Sequence, residues 1–162
     1  MLYARATAGM VFPAVVDGVV PVVLANKGGH MHLGAARGLG VPFLVVGAWL
    51  LLDSVYLRFA REGRGTLVPV DPPRFVVRGG AYRIVRNPMY VANVAIISGS
   101  ALLFQNWHLL VWAAAVFAVF NAFVLLYEEP VLHRRFAVDY DRCRDDVGRW
   151  LPRPRRARKP QI

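Results

Sequence analysis

The sequence predicts an all-α integral membrane protein: a bundle of about four transmembrane helices followed by a cytoplasmic amphipathic helix. Three observations carry this. From Asn87 to Tyr127 the chain runs 41 residues without one Asp, Glu, Lys or Arg, room for two crossings at about 20 apolar residues each. Two earlier apolar stretches, 6–25 and 38–57, hold a single charge each, Asp17 and Asp53. The whole chain is 56% hydrophobic, high for a soluble domain of this size. At 162 residues the length suits one domain, taken as 1–152, with spans near 6–25, 38–57, 88–104 and 108–127.

Pro13, Asp17, Gly18 and Pro21 interrupt the first stretch. Gly-Gly-His-Met-His after it reads as a loop rather than a signal-peptide cleavage site. Mid-span charges are costly, so Asp17 is expected to face the bundle, with Asn93 or Asn121 as partner or as part of a substrate path. Asp53 is expected near a membrane edge, within reach of Arg58. The 58–86 segment is punctuated: a turn at Gly63-Arg64-Gly65-Thr66, an extended entry to Pro72-Pro73, a strand-like Arg74-Phe75-Val76-Val77, and a Gly79-Gly80 turn. Asn87 is a natural N-cap and Pro88 suits a first helical turn, so the third span begins there. Exposed amides at that start, beside Arg86, would favour an anion.

Gln105-Asn106-Trp107-His108 divides the uncharged run and makes a helical hairpin. Arg86-Asn87-Pro88-Met89-Tyr90 and Glu128-Glu129 then come to the same side of the membrane. Past Pro130, where a kink is expected, Val131, Leu132, Phe136 and Tyr140 continue an apolar stripe at helical spacing. They predict an amphipathic helix over about 130–147, with Phe136 and Tyr140 as packing residues. Trp150 is placed as an interfacial anchor. Residues 153–162 form a basic, Pro-containing tail expected to be disordered.

The net charge of +10 does not indicate nucleic acid, because its distribution follows the spans. Seven of the 20 basic residues lie between the second and third spans and ten follow the fourth. Only Lys27 and Arg37 lie in the first loop, and none lies in the 105–108 turn. The positive-inside rule then places both termini and the long middle loop in the cytoplasm, the protein residing in the cytoplasmic (inner) membrane. Membrane lipids are the expected surroundings, with anionic headgroups attracted to the basic loops. Cys143 is the single cysteine, which excludes an intramolecular disulfide. His30 and His32, without a carboxylate partner, do not amount to a metal site.

The run Gly79-Gly80-Ala81-Tyr82-Arg83-x-Val85-Arg86-Asn87-Pro88-Met89-Tyr90 is followed by Glu128-Glu129-x-x-Leu132-x-x-x-Phe136, Tyr140 and Arg149-x-Leu151-Pro152. In that order and spacing the set resembles the isoprenylcysteine carboxyl methyltransferase family. It is also similar to the wider group of small membrane methyltransferases that includes phospholipid N-methyltransferases. The resemblance implies S-adenosylmethionine as methyl donor, bound at the cytoplasmic face. Its contacts would fall on Arg74, Phe75, Val76, Val77, Tyr82, Asn87, Pro88, Met89, Tyr90 and Glu128.

Chemistry adds to that transfer. Arg86 suits the cofactor's carboxylate, a glutamate suits its ammonium or ribose, and Arg149 could close the site or meet a headgroup. Phe75, Tyr82 and Tyr90 suit adenine or the sulfonium. Methyl transfer by in-line displacement needs alignment and exclusion of water; should a base be required, Glu129 is nearest. Ala92 stands where glycine is common in the family. Val124 stands where the prenylcysteine enzymes carry a substrate-contacting arginine. The expected acceptor is therefore lipid-soluble or small and amphiphilic, with a phospholipid amine or a small thiol as alternatives. A non-catalytic helical membrane protein that keeps the fold is the rival reading.

Overall fold

The computed structural model describes residues 14–56 and 79–153. Among these residues the chain is helical, with two isolated β-bridges and no strand. Helix α1 (Val20–Ala25) continues a π-helical turn, Ala14–Val19. A 3-10 segment, Gly34–Leu39, leads into α2 (Gly40–Tyr56). A short 3-10 turn, Gly80–Arg83, precedes α3 (Pro88–Leu103). Helix α4 (Trp107–Phe123) runs through a π-helical turn, Val124–Glu128, into α5 (Glu129–Asp146).

Two helical stretches are long and apolar enough to cross a membrane, Gly34–Ser54 and Trp107–Val138. Helix α3 is apolar but has 16 residues, about 24 Å at 1.5 Å per residue. That is shorter than a hydrocarbon core of about 30 Å. From Trp107 to Tyr127, where the uncharged run ends, the α4 stretch measures about 30 Å. Large apolar side chains point away from the protein: Val22, Val45, Trp49, Leu52, Val111, Val119 and Leu126 are all exposed. In water such a surface would be an aggregation liability; around a bilayer span it is the expected face.

Helix α3 lies at the centre, packed against α2 on one side and α4 on the other. Glycine makes the α2–α3 approach possible. A Cβ on Gly40 would stand 2.5 Å from the Gly99 carbonyl oxygen, and one on Gly99 would stand 2.8 Å from that of Gly40. About two turns along, Gly47 faces the Ala92 carbonyl in the same way, at 3.0 Å. Backbone-to-backbone contact through small residues is how apolar helices gain packing where lipid is as apolar as leucine. Val16, Ile97, Ala113, Val116 and Phe120 fill the space between the Ala14–Val19 turn, α3 and α4.

The α3–α4 hairpin turns through Gln105, whose φ is 51°. Asn106 is buried there and holds the loops at this end of the bundle together. Its amide nitrogen donates to the Gly28 carbonyl at 2.7 Å, and its Oδ1 caps α4 by accepting from the His108 amide at 2.9 Å. The Met31 amide donates to the Gln105 carbonyl and the Trp107 amide to that of Gly29. The loops carrying His30 and His108 therefore meet.

Several expectations need correction. Asn87 occupies the N-cap position of α3 but its side chain caps nothing; it donates to the Arg149 carbonyl at 3.4 Å. Asp17 has no hydrogen-bond partner among the described residues, and Asn121 is taken by Trp150. The Asp53 carboxylate accepts from the Ala81 amide at 2.6 Å; Arg58 lies outside the described residues. Pro130 neither stops nor sharply bends the helix. The π turn immediately before it relaxes the backbone register that a proline ring and missing N–H disturb. The break comes later, at Ala137, with φ 26° and ψ −96°. Trp150 turns inward, packing edge-on against Phe117 at 5.2 Å and donating to the Asn121 Oδ1 at 3.1 Å.

Candidate active site

The hairpin brings the start of α3 beside the end of the α4 stretch. The Arg86 guanidinium lies 3.1 Å from the Glu129 Oε1. Four residues along, the Tyr90 hydroxyl donates to the Glu128 Oε2 at 3.1 Å. The Tyr90 ring also packs on Phe120, centroids 4.6 Å apart. Glu128 and Glu129 thus divide between the two functional groups of one helix start. They can do so because successive residues on a helix point about 100° apart.

A third segment closes over this corner. The Arg86 amide donates to the Gly148 carbonyl at 2.8 Å, and Val85 bridges Gly148 in parallel. Gly148 has no room for a side chain, since a Cβ there would collide with the Leu151 carbonyl. This seats Arg149 over Glu129: its Nε and Nη2 donate to the two carboxylate oxygens at 2.7 and 2.8 Å. Tyr140, buried on α5, accepts from the Arg86 Nη1 at 3.0 Å. The Arg86 side chain is only 9% exposed, and its Nε has no acceptor among the described residues.

Electrostatically the cluster is an Arg–Glu–Arg triad with a tyrosine attached. Burial pushes the Glu129 carboxyl up, but the hydrogen bonds and charges of Arg149 and Arg86 outweigh it and hold the group below its ordinary value. Burial, with Glu129 and Glu128 nearby, pushes the Tyr140 hydroxyl up to about 12 despite Arg86. Near neutral pH the site therefore holds an ionised Glu129 and a protonated Tyr140.

Of the residues singled out in the sequence, Arg86, Asn87, Tyr90, Glu128, Glu129 and Arg149 come together here. Pro88 is fully buried in the first turn of α3, with Met89 half-buried beside it. Tyr82 is half-buried in the 3-10 turn leading to them. Arg74, Phe75, Val76 and Val77 lie outside the described residues. Three contributors went unassigned: Tyr140 as partner of Arg86, Gly148 as the seat of the closing segment, and Asn121 as the receptor for Trp150. Helical spacing alone does not place Tyr140 there, because the helix breaks at Ala137 between it and Glu129. Ala92 and Val124 are both fully buried.

Two apolar membrane-length helices and an outward apolar face are those of a helical membrane protein, and a buried charged corner lies at one end of its hairpin. A family model described as phospholipid methyltransferase matches residues 36–139, which includes α2, α3, α4 and most of α5. The chain belongs to this family, the small membrane methyltransferases related to the isoprenylcysteine carboxyl methyltransferases. No curated protein and no solved structure matches the chain.

Proposed function

We propose that the protein transfers a methyl group from S-adenosylmethionine to a lipid-soluble or small amphiphilic acceptor, at the corner formed by Arg86–Tyr90, Glu128–Glu129 and Gly148–Trp150. The observation that carries this reading is the pairing of both glutamates with one helix start, in a chain of a methyltransferase family. The residues fit the cofactor. The buried Arg86 Nε–H lacks an acceptor among the described residues and suits a carboxylate. Glu128 suits a ribose hydroxyl or an ammonium, and Tyr90 offers an aromatic face toward a sulfonium. Once bound, S-adenosylmethionine supplies an electrophilic methyl group on a positively charged sulfur.

The chain's own residues orient and enclose. Glu129 fixes Arg86 and Arg149 through both carboxylate oxygens, and Tyr140 holds Arg86 from the other side. With its oxygens engaged and its basicity lowered, Glu129 serves as a positioning residue. That reading replaces the base suggested by its place in the sequence. The closing segment, pinned by Trp150 on Asn121, covers one side of the corner and limits water there, which favours a displacement whose main need is alignment.

Four crossings, with the site on the cytoplasmic side of the inner membrane, follow from the charge asymmetry and make a side entry from the bilayer the natural acceptor route. Valine at 124, where the prenylcysteine enzymes carry an arginine, favours an acceptor that presents no carboxylate there. The reading is tested by incubating purified protein with radiolabelled S-adenosylmethionine, host lipids and small thiols. Label in a lipid or thiol supports it. Folded protein that labels nothing and does not bind S-adenosylhomocysteine favours the non-catalytic alternative.

A further inference from the structure

We propose that Asp17 and Asn93 form a second binding position inside the helix bundle, which receives the N–H or O–H group of an amine or alcohol carried on an apolar body. It rests on the methyltransferase reading, in which such a molecule is the methyl acceptor. Both carboxylate oxygens of Asp17 and the Oδ1 of Asn93 are buried and accept no hydrogen bond among the described residues. Asn93 is 4% exposed, so it is withdrawn from bulk solvent. All three atoms are acceptors, and the chemistry that satisfies them is a donor.

Their placement points the same way. Val16, the neighbour of Asp17, packs with Ile97, Ala113, Val116 and Phe120, a cluster that Tyr90 joins. The Val16 carbonyl accepts from the Trp112 indole at 3.0 Å, so this π-helical turn is docked on α4. Helices α1 and α3 run in the same direction, since the Asn106 side chain just past α3 reaches the Ala25 carbonyl at the end of α1. Helical side chains lean toward their N-terminus, so Asp17 leans toward the level of Tyr90 and Phe120. Asn93 is one turn beyond Tyr90 on the same face of α3. Asp17 and Asn93 thus belong to two elements, the π-helical turn and α3, that pack together beside the aromatic pair bordering the corner. A carboxylate brought there would meet Asp17 with like charge, whereas an ammonium or hydroxyl would pair with it.

The test uses the full chain with Trp49, Trp107 and Trp150 changed to Phe, so that Trp112, bonded to the turn that carries Asp17, is the one tryptophan. It is held in nanodiscs of zwitterionic phosphatidylcholine, with empty nanodiscs correcting for partitioning. Dodecylamine, dodecanol and dodecanoate are titrated while tryptophan fluorescence is followed. Saturable binding of the amine, the alcohol or both is expected. It should weaken at least about tenfold, or 1.4 kcal/mol, in Asp17→Asn and Asn93→Ala, and dodecanoate should not saturate. Amine alone would mark Asp17's charge as dominant; alcohol alone would mark hydrogen bonding. Asp17→Asn should melt no lower than the wild type, because an unpaired buried carboxylate contributes no stability. The proposal is overturned if dodecanoate binds as well as the amine, if neither donor saturates, if both variants bind like wild type, or if Asp17→Asn melts clearly lower. S-adenosylhomocysteine affinity, measured on the same samples, should be unchanged in both variants. Wild-type protein that takes dodecylamine but not S-adenosylhomocysteine would sink the methyltransferase reading separately.

Discussion

The Tyr90 hydroxyl donates to the Glu128 carboxylate at 3.1 Å across 38 positions of sequence. Two uncharged helices and a turn separate these residues, and the contact exists only because the helices fold back on each other. The same hairpin places Glu129 against Arg86, so its closure and the assembly of the candidate site are one event.

Replacing Glu129 by Gln removes the anion that two arginines share. Arg86, largely buried, is left without its partner, and loss of one member of a buried pair costs about 3 kcal/mol. Thermal melting in nanodiscs should show a clear fall in Tm. The wild type should also lose stability in acid. The folded Glu129 carboxyl sits below its ordinary value, so its contribution is present above the unfolded value and disappears as pH falls through the folded one. The Glu129→Gln variant should lack that acid-dependent component, and an identical pH profile would count against the triad.

Gly99→Leu should be severe. A side chain there meets the Gly40 carbonyl and Leu44, forcing α2 and α3 apart. The expected outcome is a loss of about 1–3 kcal/mol or a failure to accumulate. Gly38→Ala is the control, because nothing lies within 4 Å of a Cβ at that position. Equal melting of the two variants would contradict the close helix approach.

Asn106→Ala removes an α4 cap and a buried donor to the Gly28 carbonyl. A loss of about 1–3 kcal/mol is expected. Cofactor affinity should hardly change, since the 105–108 turn lies at the opposite end of the hairpin from Glu128.

Trp150→Phe keeps the ring against Phe117 but deletes the hydrogen bond to Asn121. Hydrogen exchange should quicken over residues 147–153 and stay unchanged in the 105–108 turn. Uniform protection would mean that the closing segment is held by other contacts.

The hairpin was readable because charge is a direct measure of what a bilayer tolerates, and Asn87–Tyr127 contains none. The pairing of its ends followed from counting spans. The order and spacing of Arg86–Tyr90, Glu128–Glu129 and Arg149–Pro152 carried the family, which the match over 36–139 then showed. What escaped depends on local backbone geometry that residue types do not encode alone. Asn87 has cap chemistry, yet the approach of Arg149 gives its amide another acceptor. Pro130 suggested a kink, but a π turn upstream absorbs the strain and the bend passes to Ala137. Trp150 has the amphipathic character of an interface anchor, and only the position of Asn121 turns it inward. Tyr140 looked like packing because its hydroxyl's partner, Arg86, lies 54 residues away.

The most direct measurement of the central claim is calorimetric titration of S-adenosylhomocysteine into the nanodisc-embedded protein and its Glu128→Ala variant, with melting curves to confirm that both are folded. Saturable binding by the wild type, abolished in the variant at unchanged stability, is the predicted result. Equal affinity in the two proteins would contradict a cofactor site built on Tyr90 and Glu128.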